Sequence, residues 1–221
     1  MSETLSDSGR AYHLEELRIA RDSASPAHLL PNIPPTCKVV LDLGCGAGQT
    51  LIASDLPSEV LAIGVDPDRG ALALGRTLTD HVHFASASGE DLPFTDAAFD
   101  MVISRVALYY RNIPRALAEI SRVLRPGGQV WVSVNPPSFA FQRMASAIRE
   151  GSVRGFVFSL YTLANAFSLQ IANRLLMWPF GRKRYESVLT TMGVRRAFKR
   201  AGFKDTNVER NRFFVVTARR G

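Results

Sequence analysis

From residue 39 to residue 134 short continuous apolar runs alternate with segments of helical spacing. Residues 39–43, 60–65, 82–85, 101–104 and 129–134 read as five buried strands. The clearest helix between them spans 114–124, with Leu117, Ile120, Val123 and Leu124 on one face. Pro114 opens it and Pro126-Gly127-Gly128 closes it, as expected where a helix starts and stops. Strands alternating with helices predict a parallel sheet covered on both faces, with right-handed crossovers. Near the C-terminus a basic helix over 194–201 ends at Gly202, and strands over 205–210 and 212–218 follow around a tight turn at Asn211.

Residues 136–190 fall outside this alternation. Between 156 and 180 the only charge is Arg174, and Ser159, Thr162, Asn165 or Ser168, and Asn173 form a narrow polar stripe at helical spacing. The length permits a membrane span. The stripe and the Pro179 break point instead to a helix buried on most sides or lying on a membrane surface. Arg182-Lys183-Arg184 follows directly, so an interfacial contact through 156–184 is one reading and a cap over a binding site is the preferred one.

Length and apolar content fit one globular domain, or one domain with an insertion. Cys37 and Cys45 form neither a disulfide framework nor a metal-ligand set, so no metal is expected, and a cytoplasmic location is. The charge changes the picture more. Residues 182–221 hold 12 Lys and Arg against 3 Asp and Glu, so they carry +9 of a chain whose net charge is +7. Such a patch suits an anionic partner or a plain solvated surface.

The candidate chemistry begins in Val39-Val40-Leu41-Asp42-Leu43-Gly44-Cys45-Gly46-Ala47-Gly48-Gln49-Thr50, a strand running into a glycine-rich turn. Such a turn lets a cofactor approach the backbone at the carboxyl edge of the sheet. The dinucleotide fingerprint needs glycine at position 49, which is Gln, so a nicotinamide or flavin enzyme is disfavoured. The string resembles the G-x-G-x-G motif of class I S-adenosylmethionine (SAM) methyltransferases. That resemblance implies a doubly wound, Rossmann-like, seven-stranded sheet of order 3-2-1-4-5-7-6 with an antiparallel last strand. Residues 1–221 are expected to form a single SAM-dependent domain; the resemblance covers neither 1–36, read as a helical lid segment, nor 136–190, whose apolar content and position after strand 5 suggest a helical cap between strands 5 and 6.

Further strings extend the resemblance. Asp66, before Pro67, ends the second strand where the family binds the ribose hydroxyls. Ala87-Ser88-Gly89-Glu90-Asp91-Leu92-Pro93-Phe94 is similar to the family string G-D-A-E-D-L-P-F. Ser88 replaces the acid that holds the adenine amine; its hydroxyl accepts without charge assistance, or Glu90 substitutes, and the Gly89 N–H points at the ring. Phe99-Asp100-Met101-Val102-Ile103-Ser104 looks like the fourth strand, which implies Ser104 beside the methionine part of SAM and Arg105, Tyr109 and Tyr110 toward the acceptor. Cofactor contacts are therefore expected from Asp42, Gly44, Cys45, Gly46, Asp66, Pro67, Ser88, Gly89, Glu90 and Ser104. From the apolar cap, Phe156, Phe158, Tyr161 and Trp178 are expected to touch the acceptor. Asn135-Pro136-Pro137-Ser138-Phe139 resembles the N-P-P motif of methyltransferases acting on base amino groups, but follows the fifth strand rather than the fourth and reads as a strand stop.

The expected activity is methyl transfer from SAM to a small lipophilic or aromatic acceptor by in-line displacement. No catalytic base is assigned: His13, His28, His81 and His83 read as surface residues, with Arg18 and Arg21 as alternative clamps for the SAM carboxylate. No nucleic-acid partner is expected, since basic and aromatic residues do not interleave as in a base-stacking module. An RNA or protein methyltransferase, or a membrane-associated SAM-binding module without catalysis, is the alternative. The oligomeric state stays open.

Overall fold

The computed structural model describes residues 5–180 and 184–221. Its centre is a seven-stranded sheet of order β3-β2-β1-β4-β5-β7-β6. The strands are β1 (Val39–Leu43), β2 (Leu61–Asp66), β3 (Val82–Ser86), β4 (Phe99–Arg105), β5 (Leu124–Val134), β6 (Phe203–Arg210) and β7 (Phe214–Arg220). β7 runs antiparallel to both β5 and β6, while β1 to β5 pair parallel. The helices are α1 (Asp7–Arg21), α2 (Gln49–Ala53), α3 (Arg69–Leu78), α4 (Ile113–Val123), α5 (Pro137–Arg149), α6 (Val153–Ala172) and α7 (Thr191–Arg200).

Alternation along each strand divides the core. Leu41, Leu43, Val102, Val130, Val132 and Val216 face one side, where α4 and α7 bury Leu117, Ile120, Val194 and Phe198. Val40, Met101, Ile103, Trp131 and Val215 face the other side, with Leu51 of α2. Because successive strand residues point to opposite faces, a strand apolar at every position must be covered twice.

Several boundaries differ from the sequence reading. β5 starts at Leu124, so Pro126-Gly127-Gly128 lies inside the strand. The register with β4 shifts there, from Phe99 opposite Leu124 to Met101 opposite Gln129, and Gly127 takes φ +76°. The apolar helix stops at Ala172 rather than near Pro179, because Asn173 takes the left-handed conformation (φ 54°) that closes helices. Of the basic run, Arg182 and Lys183 lie outside the described residues.

The insertion also sits elsewhere than expected. α5 packs on α6 and α6 on α7. Leu169 and Leu189 join the core on the α4–α7 face, and Ala140, Ala166 and Val188 form a small core of their own. The polar stripe is an internal fastening. The Asn165 side-chain amide donates to the carbonyls of Leu176 and Glu186, and its oxygen accepts from the Leu176 N–H at 2.8 Å.

Candidate functional site

β1 delivers the chain into the turn Gly44–Gly48 at the carboxyl edge of the sheet. Gly44, Gly46 and Gly48 all have positive φ (77°, 56° and 84°). A Cβ on Gly44 would lie 2.3 Å from the Cβ of Ala107, and one on Gly46 would lie 2.9 Å from His13 Cε1. The turn is tied down from β2. The Gly44 and Cys45 N–H groups donate to the Val65 carbonyl, and the Gly46 N–H donates to Asp66 Oδ2 at 3.0 Å. Asp66 Oδ1 accepts from the Asp68 N–H. Asp66 thus sits beside the turn with one lone-pair direction on each oxygen left for a ligand.

A cavity of about 520 Å³ opens between this turn and the ends of β4 and β5. That is within the size range of small-molecule sites. Gly44, Cys45, Gly46 and Asp66 form one end, and Tyr12, Tyr109, Tyr110 and Phe213 supply aromatic surface. The N-terminal segment contributes Tyr12, His13, Glu16, Ile19, Ala27 and Leu29, whereas no described residue of 136–190 lines the cavity.

Phe156, Phe158, Tyr161 and Trp178 are accordingly not brought to it. Phe158, Tyr161 and Trp178 stack on one another with centroids 4.8–5.5 Å apart, and Arg143 and Arg184 lie over the Phe158 ring. The Tyr161 hydroxyl donates to the Leu176 carbonyl at 2.8 Å, with the Arg184 carbonyl a longer alternative acceptor at 3.2 Å. Aromatic rings in an insertion pack first against each other when the segment carries its own core.

Other expected residues act from behind the wall. Ser104 is fully buried and donates to the Leu43 carbonyl at 3.0 Å, fastening β4 to the strand that carries the turn. Glu90 accepts from the Asn112 N–H at the cap of α4. Ser88 Oγ accepts weakly from the Glu90 N–H at 3.4 Å. Pro67 is exposed and Gly89 is buried, its Cα against the Leu43 side chain. None of these five lines the cavity. The Gly89 N–H has no hydrogen-bond acceptor among the described residues. Arg18 pairs with Glu15 and Asp22 at the surface, and Arg21 borders a different cavity, so neither is a clamp here.

Arg105 does line the cavity, but it is engaged: Nε donates to Thr50 Oγ1 at 3.1 Å and Nη2 to Glu16 Oε2 at 2.9 Å. That ion pair clips α1 onto β4. A second clip joins His13 Nδ1 and Gln49 Nε2 at 2.7 Å. With the amide as donor, the ring is neutral and carries its proton on Nε2. Burial lowers the His13 pKa, against the pull of Asp68, Asp66 and Glu16. Tyr109, against Tyr110 with centroids 4.2 Å apart, is held as a phenol well above its usual pKa, by burial first and then by Tyr110.

Glu16, Gln49, Thr50, Asn135 and Phe213 were not among the expected site residues, although Gln49, Thr50 and Asn135 lie in strings quoted above; they meet only when α1 folds over the turn and β7 returns beside β5. His13 was read as a surface residue for the same reason.

Two features depart from the usual economy of folded chains. Asp42 is buried with neither carboxylate oxygen hydrogen-bonded among the described residues. Burial raises its pKa to about 7, with Arg105 opposing and Asp66 reinforcing the shift. Val106, on the cavity wall after β4, has φ +58°, a strained conformation for a β-branched residue. Its side chain is 43% exposed, so little packing holds it. Val106→Asn is expected to raise stability by about 1 kcal/mol, because Asn tolerates this region. A thermal melt showing no gain would mean that the local backbone carries no strain.

The fold and the turn together match known proteins. Residues 41–132 match the methyltransferase domain family. That segment is a methyltransferase domain. Over 114 residues the chain is 38% identical to the malonyl-[acyl-carrier protein] O-methyltransferase of Herminiimonas arsenicoxydans, covering 50% of this chain and 42% of that one. Over 99 residues it is 38% identical to the demethylmenaquinone methyltransferase of Symbiobacterium thermophilum, covering 41% and 39%. The chain thus spans about two fifths of the length of these curated relatives. A SAM-dependent methyltransferase from Thermotoga maritima superposes with a TM-score of 0.58 over 96% of this chain and 91% of that one, at 17% identity. That likeness shows the shared Rossmann-like methyltransferase fold.

The methyltransferase domain fits SAM on its own observations. The positive-φ glycine turn leaves room against the backbone, and Asp66 stands beside it with free lone pairs.

Proposed function

We propose that this protein transfers a methyl group from SAM to a small lipophilic or aromatic acceptor. The observation that carries the reading is one cavity holding both the glycine turn with Asp66 and an aromatic wall of Tyr12, Tyr109, Tyr110 and Phe213. The names of the relatives, which include acyl-carrier-protein and demethylmenaquinone acceptors, agree with small acceptors. The buried, unpaired Cys37 and Cys45 suit a reducing compartment, and the cytoplasm is the proposed location.

SAM supplies a methyl group on a positive sulfur, an excellent leaving group. The chain's task is to align and to exclude water. Asp66 and the turn hold the nucleoside end. The α1 clips, Glu16 with Arg105 and His13 with Gln49, close the N-terminal segment over it. Among the described lining residues no group stands as a free base: Glu16 is paired, His13 Nδ1 is occupied, and Tyr109 keeps its proton. The acceptor therefore brings its own nucleophile, such as a readily ionised phenol, enol or carboxylate.

Asp66→Ala is expected to weaken SAM binding by roughly 1.5–3 kcal/mol, since a charged acceptor for two hydroxyl donors is lost. Part of that loss comes from the freed Gly46 N–H, which Asp66→Asn retains through its amide oxygen. Titration calorimetry checks both variants. A methyl-release assay over phenol, quinol and fatty-acid acceptors tests the reaction. Transfer to RNA or protein with none to small acceptors would sink the acceptor assignment; absence of SAM binding would sink the whole reading.

A further inference from the structure

α6 carries an apolar face that its own domain leaves uncovered. Val153, Val157, Leu160, Ala164, Phe167 and Ile171 recur at spacings of four and three residues, which places them along one side of the helix. All are exposed, Val153 by 76%, Phe167 by 66% and Ile171 by 54%. A contiguous apolar strip of this kind marks an interaction surface.

We propose that this face docks on the surface of a bilayer bearing anionic phospholipids. Charge selects the partner. Residues 153–180 contain no Asp or Glu, and their only charges are Arg154 and Arg174. α7 lies alongside with Arg195, Arg196, Lys199 and Arg200: the Arg196 and Arg200 guanidinium groups donate to the carbonyls of Gln170 and Ile171 at 3.3 Å. Among the described residues none of these six cations has an acidic partner. An apolar strip with cations beside it suits lipid tails below and phosphates around it.

The helix lies on the bilayer and does not cross it. Its length and composition alone satisfy a span. Its opposite side, however, is fastened to the domain: Ser159, Thr162 and Asn165 are buried, and Asn165 and Tyr161 hold the returning segment by hydrogen bonds. Crossing would break these bonds and strand the groups in hydrocarbon.

The docking stands without the proposed chemistry, but bears on it. The insertion is joined to the cavity wall at its return, where the Ser187 N–H donates to the Tyr109 carbonyl and the Leu189 N–H to that of Asn135. A docked insertion brings the acceptor side of the cavity close to a source of lipophilic molecules.

The experiment is flotation of the full chain with phosphatidylcholine vesicles, with and without about a third phosphatidylglycerol. Strong binding to the anionic vesicles is expected, falling at least tenfold as salt rises to about 0.5 M. The double variant Leu160→Asp, Phe167→Asp is expected to lose it, and Arg195→Glu with Lys199→Glu to weaken it. These positions are exposed, and an unchanged SAM affinity and thermal melt confirm that the variants fold. Absence of vesicle binding by the parent chain overturns the proposal, as does binding indifferent to the Leu160 and Phe167 changes. So does a dimer in sedimentation velocity that the same double variant dissociates, since the face would then join two copies. SAM affinity is read separately, so a failed acceptor assignment leaves this result intact.

Discussion

Gly44→Ala is expected to cut SAM affinity at least about a hundredfold, or about 2.7 kcal/mol. Two independent costs meet at this position. Its φ of +77° disfavours any L side chain by about 1–2 kcal/mol. The new Cβ would also stand 2.3 Å from the Cβ of Ala107, well inside van der Waals contact. One of the two backbones must retreat. Both belong to the cavity wall, so either retreat alters the cofactor end or the acceptor end of the site. The double variant Gly44→Ala, Ala107→Gly separates the costs, because it removes the steric clash and leaves the φ penalty. Partial recovery of affinity is the expected result. No recovery would assign the loss to backbone conformation alone, and unchanged affinity in the single variant would place SAM elsewhere.

Asp42→Asn is expected to stabilise the ligand-free protein while weakening SAM binding. The folded pKa of about 7 lies above the ordinary 3.8, because burial penalises the charged form. Below pH 3.8 folded and unfolded chains both hold the proton, and Asp42 costs nothing. Between 3.8 and 7 the unfolded chain releases it and the folded chain does not, so stability falls as pH rises. Above 7 the full penalty applies, on the order of 4 kcal/mol. The variant's advantage should therefore be absent near pH 4, grow through pH 5 and 6, and level off above 7. Urea titrations across that range check it; an advantage independent of pH would show that the carboxylate is not the source. The loss of SAM affinity is expected because the variant removes a negative charge within electrostatic reach of Arg105 and Asp66, both on the cavity wall.

The sheet was legible because its determinants are local. Apolar runs such as Val39–Leu43 need burial on both faces whatever surrounds them, and glycines at 44, 46 and 48 permit a turn that few other residues can make. The position of Asp66 was legible for the same reason: it is the last residue of β2, at the edge where β1 also ends. The strand order and the antiparallel β7 agree with the resemblance those residues carry.

Of the two segments read as covers, 1–36 and 136–190, only the first supplies described residues to the cavity, and the sequence did not tell them apart. Residues 136–190 are more apolar than 1–36, and apolar content says only that a surface will be buried, not against what. Phe158, Tyr161 and Trp178 satisfied that demand with one another. The polar α1 reached the cavity instead through directional contacts, Glu16 with Arg105 and His13 with Gln49, separated by 89 and 36 positions in the chain. The sequence alone determined the sheet, the cofactor turn and Asp66, because strand burial and turn geometry are set by neighbouring residues. Only the tertiary structure decided the cavity wall, the strain at Val106, the unpartnered Asp42 and the bare face of α6, because each depends on what distant segments bring, or fail to bring, into contact.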